Sequence, residues 1–100
     1  MAELIHEYAE TLHAADGRRY LVRAYGEPYA HLWHGWLEMA PLDGGAVLRT
    51  DRETTQPNRE ALVYWASGLE PIYWEGALAR ARRRRTAAFL TAQVSARGRA

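Results

Sequence analysis

The amino-acid sequence predicts an α+β fold, a four-stranded antiparallel meander sheet followed by two helices packed on one face. Two observations predict this class. Up to about residue 48 the apolar residues alternate with the period of two that is typical of strands, and after residue 60 they recur at the three-and-four spacing of a helix. Between these regions lies an almost wholly polar segment, residues 49–60, which we call the junction.

Length and composition limit the class of protein. One hundred residues with 48% hydrophobic residues are expected to form one globular domain. The chain has no cysteine, which excludes disulfides, thiolate zinc sites and a cysteine nucleophile. The N-terminal segment is acidic where a signal peptide would be basic, and no apolar run reaches the roughly 18 residues of a membrane span. We therefore expect a cytoplasmic protein with no membrane partner and no cofactor.

The net charge of +1 conceals an asymmetry between the two halves of the chain. Residues 1–50 carry four arginines and seven acids, a balance of −3, whereas residues 51–100 carry nine arginines and five acids, a balance of +4. From Gly76 onward there are seven arginines and no acid. All 13 basic residues are arginine, and because this bias runs through the whole chain we ascribe it first to genomic base composition.

Four strands are predicted in the first half, over residues 3–14, 18–26, 31–40 and 46–50. In the first strand, alternation places on one face Leu4, His6, Tyr8 and Leu12. Asp16-Gly17 has the residue types of a tight hairpin turn, and Pro28 ends the second strand because proline cannot donate to a ladder. The segment from Pro41 to Gly45 is a turn by composition. Consecutive strands with such short links favour a meander.

Two helices are predicted after the strands. The first begins near Pro57, whose missing N–H suits the first helical turn, and ends at Gly68. The second begins at Pro71. Its core-packed part ends near Ala81, because the four consecutive arginines that follow place a charge on every side of a helix.

The C-terminal arginines divide the chain and form one candidate site. We expect a domain over residues 3–81 and an Arg-rich extension over residues 82–100 that frays or binds a partner. The candidates for contacting nucleic acid or another acidic partner are Arg80, Arg82, Arg83, Arg84 and Arg85. The simpler interpretation, which we favour, is a solvated helix end whose cations offset the helix dipole.

The junction holds the candidate ligand-binding or anion-binding residues, Arg49, Asp51, Arg52, Glu53, Thr54, Thr55 and Gln56. They precede a helix N-terminus, where free N–H groups and the dipole favour an anion. The structural alternative, which we favour, is that Thr54, Thr55 or Asn58 caps the helix. Asp51 and Glu53 would then complement the dipole and pair with the arginines beside them. A catalytic carboxylate pair is the least favoured interpretation, because neighbouring arginines favour the ionised form of both acids.

Three aromatic side chains are candidates for an interface on the sheet face away from the helices, Tyr25, His34 and Trp36. Such a platform could stack nucleic-acid bases, but the net negative charge of the strand half argues against this. Packing under a loop, a helix or a second subunit is the favoured alternative. An exposed Trp36 and Tyr25 would make a homodimer the expected form of self-association.

No metal site is predicted from the histidines. His31 and His34 are three residues apart on a strand, and His6 and His13 are seven apart, so each pair falls on opposite faces. Neither pair can form a local chelate, and the chain lacks a motif such as His-Glu-x-x-His.

Three segments form a recognisable pattern, residues 50–58 (Thr-Asp-Arg-Glu-Thr-Thr-Gln-Pro-Asn), 64–66 (Tyr-Trp-Ala) and 68–71 (Gly-Leu-Glu-Pro). This pattern resembles a family of short bacterial proteins of unknown function. The resemblance covers most of residues 6–81 and implies a bacterial source, but it brings no catalytic residue.

The expected function is that of a non-enzymatic binding module that engages a protein or nucleic-acid partner. The alternative is a small ligand-binding protein or enzyme that uses the junction from Arg49 to Gln56.

Overall fold

The computed structural model describes the backbone of residues 1–98 and the side chains of residues 1–94, and its class is the predicted α+β. The strands are β1 (Glu3–His13), β2 (Arg19–Tyr29), β3 (Leu32–Pro41), β4 (Leu48–Arg49) and β5 (Thr54–Gln56). Two helices follow and pack on the sheet, α1 (Arg59–Ser67) and α2 (Pro71–Gly98). The strand order β1-β2-β3-β4 confirms the antiparallel meander. Of the predicted extension over residues 82–100, residues 99 and 100 lie outside the described chain.

The junction contains a strand, β5, that the alternation pattern did not predict. β4 and β5 follow one another along the edge of β3 that β2 leaves free. Opposite the four residues of β3 from Gly35 to Glu38, this edge carries the six residues from Arg49 to Thr54, so two residues are inserted. An outermost strand tolerates polar side chains because its far side faces water. The fourth strand is therefore shorter than predicted and is continued by β5 after the insertion.

β2 continues past Pro28, where the sequence predicted its end. β1 pairs with β2 only as far as Gly26, so Pro28 lies on an edge where its missing N–H leaves no ladder bond unmade. Pro28 pairs with Trp33 of β3 on its other side. The hairpin then closes through a two-residue turn in which Ala30 has the left-handed φ of 55°.

β1 departs from regular alternation because its pairing with β2 shifts twice, once between Leu4 and His6 and again between Glu7 and Thr11. The first shift places Leu4 opposite Tyr25, where its side chain is 44% exposed, so the prediction that it shares a face with Tyr8 and Leu12 was wrong. Tyr8 and Leu12 do lie in the core. The single residue inserted between Leu4 and His6 reverses the sidedness of Leu4, which a period-two pattern does not reveal.

The helices pack on the sheet through small residues of α2 and one hydrogen-bonded tyrosine. Ala77 and Ala81 are fully buried in the same cluster as Leu37, which lets the helix axis approach the sheet closely. Among the side chains of α2 that the structure describes, Ala81 is the last fully buried one, at the predicted position. Tyr8 extends from β1 to donate its hydroxyl hydrogen to the carbonyl of Ala66, at 2.6 Å. The end of α1 at Gly68 is also as predicted.

The helix ends follow local capping chemistry. Asn58 is the N-cap of α1, and its side-chain oxygen accepts a hydrogen bond from the N–H of Ala61 at 2.8 Å. Pro57 therefore lies before the cap, whereas the sequence predicted it in the first helical turn. α2 runs unbroken through the four arginines. Among the residues that the structure describes, no helix is long and apolar enough to cross a membrane.

A pair of glycines lets α1 lie directly on the sheet. Gly26 of β2 and Gly35 of β3 are opposite one another on the helix-facing side, and the buried side chain of Leu62 fills the hollow above them. A Cβ atom at either position would overlap a methyl group of Leu62. At Gly26 it would also lie 2.9 Å from the carbonyl oxygen of His34. The glycines are therefore required by close approach and not by backbone torsion.

We predict that Gly35→Ala lowers the free energy of unfolding by about 1–3 kcal/mol through overpacking against Leu62. In a Leu62→Ala background the same change should cost much less, because the obstructing methyl group is gone. Gly26→Ala should remain costly in that background, since the His34 carbonyl is backbone and cannot move aside. Urea unfolding of the single and double variants measures all three, and equal costs of Gly35→Ala in both backgrounds would contradict the packing described.

Candidate functional site

The insertion in the edge strand turns the acidic residues of the junction toward α2. Thr50 is fully buried at its start: its N–H donates to the carbonyl of Leu37 at 2.9 Å, and its hydroxyl oxygen accepts from the Leu37 N–H at 3.0 Å. At its end the N–H of Glu53 donates to the carbonyl of Gly35 at 2.8 Å. These bonds satisfy the backbone of β3 across the insertion. Its shape is therefore held by the sheet itself.

Glu53 joins the sheet edge to α2. Its side chain is only 7% exposed, and it accepts a hydrogen bond from the hydroxyl of Tyr73 at 2.6 Å. Arg80 donates to both carboxylate oxygens, with Nε at 3.1 Å from Oε2 and Nη2 bonded to Oε1. Such a two-point contact is the strongest geometry for a guanidinium and a carboxylate. The guanidinium of Arg80 also lies 5.5 Å from the centre of the Tyr73 ring.

Tyr73 is perturbed by this arrangement. Burial, followed by the hydrogen bond to Glu53, raises the pKa of Tyr73 to about 12, and Arg80 opposes the rise. The hydrogen bonds that Arg80 itself donates to Glu53 raise the pKa of Arg80. No local signal in the sequence connects Tyr73 to an acid 20 residues away.

Two other charged residues of the junction, Asp51 and Arg49, also contact residues that are distant in sequence. Asp51 accepts a hydrogen bond from Nε of Arg84 at 2.6 Å, and both side chains are exposed. The predicted pairing of Asp51 and Glu53 with the arginines beside them is therefore wrong. Arg49 instead covers the ring of Trp36, with its Cζ atom 4.1 Å from the ring centre.

The uncharged polar residues of the junction have structural roles. Thr54, Thr55 and Gln56 form β5, and the side-chain amide of Gln56 donates to the hydroxyl of Thr54 at 2.7 Å. Of the three predicted helix caps, Asn58 is the one observed.

Arg82 fastens the opposite side of α2 to the sheet. Its Nη2 atom donates to Asp16 Oδ2 at 3.0 Å and to the hydroxyl of Tyr20 at 3.0 Å. Asp16 also accepts from the backbone N–H of Arg18, and this bond, with the charge of Arg82, lowers the pKa of the Asp16 carboxyl. Three arginines of the predicted acidic-partner site, at positions 80, 82 and 84, thus contact acids of the protein itself.

The two candidate sites of the sequence meet in one groove between the junction and α2. We call it the arginine groove; it has a volume of about 390 Å³ and is lined by Asp51, Arg52, Glu53, Arg80, Arg83, Arg84 and Ala87. Four guanidinium groups face two carboxylates there. Arg52 and Arg83 form no ion pair with any residue that the structure describes. The groove therefore has a local excess of positive charge and can accept an anionic group.

The sheet face away from the helices is not an exposed aromatic platform. Trp36 is 2% exposed, with Arg49 over its ring and Tyr25 stacked at 6.5 Å, so the exposed Trp36 on which the homodimer expectation depends is not observed. His34 is half-buried and stacks on the ring of Tyr29 at 4.5 Å. Four charges of alternating sign cross this face on neighbouring strands, at Glu7, Arg23, Glu38 and Arg49. Opposite charges side by side compensate one another there.

Histidine and acidic side chains are spread over the described part of the molecule. Within it, no three histidine or acidic side chains gather into a group that could hold a metal ion. The arrangement at the groove is suited to binding an anion through guanidinium groups.

Comparisons with known proteins add no assignment. No protein family model, no curated protein and no solved structure matches the chain. The resemblance to short bacterial proteins stays a prediction.

We predict that the wild-type protein loses stability between about pH 10 and pH 12 partly through Tyr73. A tyrosine in the unfolded chain releases its proton near pH 10, whereas folded Tyr73 keeps it until about pH 12. In this window the unfolded state binds fewer protons, so unfolding is favoured as the pH rises.

The test is urea unfolding at several pH values. Tyr73→Phe should lose less stability over this window than the wild type. Tyr64→Phe, at a side chain that is 83% exposed, is the matched control and should follow the wild type. Identical pH profiles for wild type and Tyr73→Phe would show that the hydroxyl is not held as described.

Proposed function

We propose that this protein is a non-enzymatic binding module that engages an acidic protein partner along α2. One observation carries the proposal: the arginine groove continues into an exposed apolar stripe on the same side of the helix. A partner segment that combines carboxylates with apolar side chains fits such a surface.

The distal half of α2 extends beyond the sheet that buries its first half. After Ala81 the large apolar side chains that the structure describes are open to solvent, with Phe89 61%, Leu90 56% and Val94 70% exposed. With a rise of about 1.5 Å per residue, the thirteen residues from Arg82 to Val94 span about 20 Å of helix. Neighbouring apolar side chains that the protein itself leaves uncovered are typical of an interaction surface.

Helical geometry aligns this apolar surface with the groove. At 100° per residue, Ala87, Leu90 and Val94 fall within about 40° of Arg83 around the helix axis. Arg83 and Ala87 line the groove itself. The cationic groove and the apolar stripe of Ala87, Leu90 and Val94 therefore form one continuous surface, which resembles the groove-binding mode of amphipathic partner helices.

Charge favours a partner other than a second α2. From Gly76 to the last residue the chain has no acid, so an α2 of another copy brings no carboxylate to Arg83 or Arg52. The homodimer expected from Trp36 and Tyr25 also loses part of its basis, since Trp36 is buried under Arg49. Within the described residues, Glu53 and Asp51 are already bonded to arginines of α2, which supports a scaffold role for them over acid–base chemistry.

The proposal includes a cytoplasmic location. A chain without cysteine suits a reducing compartment. A bacterial source follows from the resemblance of the junction pattern and is part of the same proposal.

Binding to synthetic peptides tests the proposed function. The probes are a helix-forming peptide with glutamates and leucines on one face, the same peptide with each leucine replaced by serine, and an oligothymidylate of equal charge. We expect the leucine-containing peptide to bind most tightly in fluorescence anisotropy. Leu90→Ser with Val94→Ser should weaken this binding by about tenfold or more, because two apolar contacts are lost.

Two further variants make the test specific. Phe89→Ser removes a similar exposed apolar side chain from a different side of α2, about 100° away from Leu90, and should bind as the wild type does. Arg83→Gln should weaken binding and reduce its salt dependence. Equal affinity for both peptides would argue against the apolar stripe, and tighter binding of the oligothymidylate would favour a nucleic-acid partner instead.

A further inference from the structure

A second cleft lies on the other side of α2, between the helix and the turn that joins β3 to β4. We call it the turn cleft; it has a volume of about 400 Å³ and its wall includes Arg18, Arg82, Arg85, Thr86, Pro41 and Leu48. It shares no lining residue with the arginine groove. Arg83 and Arg85 are two residues apart, which places them about 200° apart around the helix. The two clefts therefore use different arginines of the same run.

Two of the arginines in the turn cleft are held in place by the protein. Arg18 and Arg82 both lie against the buried ring of Tyr20, with their Cζ atoms 5.7 and 5.8 Å from its centre. Arg18 donates from Nη2 to Asp43 Oδ1 at 3.1 Å, and Arg82 donates from Nη2 to Asp16 Oδ2 at 3.0 Å. Each guanidinium is thus fixed at one terminal nitrogen before any ligand arrives.

The turn itself brings backbone close to Arg18. Gly45, with a left-handed φ of 104°, lines the cleft beside the Arg18 guanidinium, and the carbonyl of Gly44 accepts a further bond from Arg18 Nη2 at 3.4 Å. Residues other than glycine rarely adopt this backbone conformation.

Hydrogen-bond donors remain available in the cleft. Within the described residues, the Nε and Nη1 groups of Arg18 and Arg82 have no partner, and Arg85 forms no ion pair. The hydroxyl of Thr86 adds another donor at the rim. Three guanidinium groups set against the carboxylates of Asp16 and Asp43 leave an excess of one positive charge. Such a set of donors suits an oxyanion with several acceptor oxygens.

We propose that the turn cleft binds the phosphate group of a small organic phosphate monoester. The guanidinium groups of Arg18, Arg82 and Arg85 contact the phosphate oxygens, since arginine matches phosphate geometry with paired donors. Pro41 and Leu48 form the apolar part of the wall, against which the organic group lies. This site is independent of the partner surface proposed for the arginine groove.

Isothermal titration calorimetry with phenyl phosphate and with inorganic phosphate tests the proposal on the full chain at constant ionic strength. We expect phenyl phosphate to bind more tightly, because its ring contacts the apolar wall. Arg85→Gln should weaken phenyl phosphate binding by about tenfold or more, since one charged donor pair is lost. Because Arg85 is exposed, we expect the variant to fold as the wild type does, and far-UV circular dichroism checks this.

Arg83→Gln is the matched control, with the same charge change on the opposite side of α2. It should leave phenyl phosphate binding unchanged while weakening the acidic peptide, and Arg85→Gln should do the reverse. If both variants weakened phenyl phosphate binding equally, the binding would depend only on the net positive charge of the helix, and this result would overturn the proposal. Equal affinity for inorganic phosphate and phenyl phosphate would overturn the assignment to an organic monoester.

Discussion

The contact of Glu53 with Arg80 and Tyr73 is the constraint on which the position of α2 depends. Without the two-residue insertion between β4 and β5, the edge strand would run straight and would not present this carboxylate to the helix. The insertion is stabilised by backbone bonds to β3, so the acid is presented by the rigid part of the molecule. Because the carboxylate is nearly buried, its charge needs compensation inside the protein. Arg80 and Tyr73 supply this through their hydrogen bonds to Glu53.

The arginine run then has two roles that alternate around one helix. Arg80 and Arg84 bond to the junction, and Arg82 bonds to the β1–β2 turn, so α2 is fastened on both sides. Exposed ion pairs such as Arg84 with Asp51 each contribute little, typically less than about 1 kcal/mol. Their main effect here is on the orientation of α2, which determines the directions in which Arg83 and Arg85 point. The surfaces that we assign to partner and ligand are the sides of α2 that this fastening leaves open.

The class of fold was predictable because it follows from local periodicity, and most of the details that differ arise from contacts distant in sequence. Alternation before the junction and helical spacing after it indicate a sheet followed by helices without knowledge of any contact. The end of the buried part of α2 at Ala81 was predictable for the same reason, since charges on every side of a helix exclude a core face.

The candidate site was predictable in composition but not in arrangement. Arg80 is 27 residues from Glu53, and Arg82 is 66 residues from Asp16, so no spacing rule connects them. The burial of Trp36 depends on Arg49 from a neighbouring strand, and alternation shows only which face a residue occupies, not what covers it. The pairing shift between Leu4 and His6 reverses sidedness, and the junction inserts two residues into the edge strand, and alternation reveals neither.

A double-mutant cycle on Glu53 and Arg80 tests most directly whether this contact holds α2 on the sheet. The free energy of unfolding is measured by urea denaturation for the wild type, Glu53→Ala, Arg80→Ala and the double variant. The structure predicts a favourable coupling of about 1–2 kcal/mol, as expected for a two-point charged contact with one buried partner. Single-variant effects that simply add, with a coupling near zero, would contradict it.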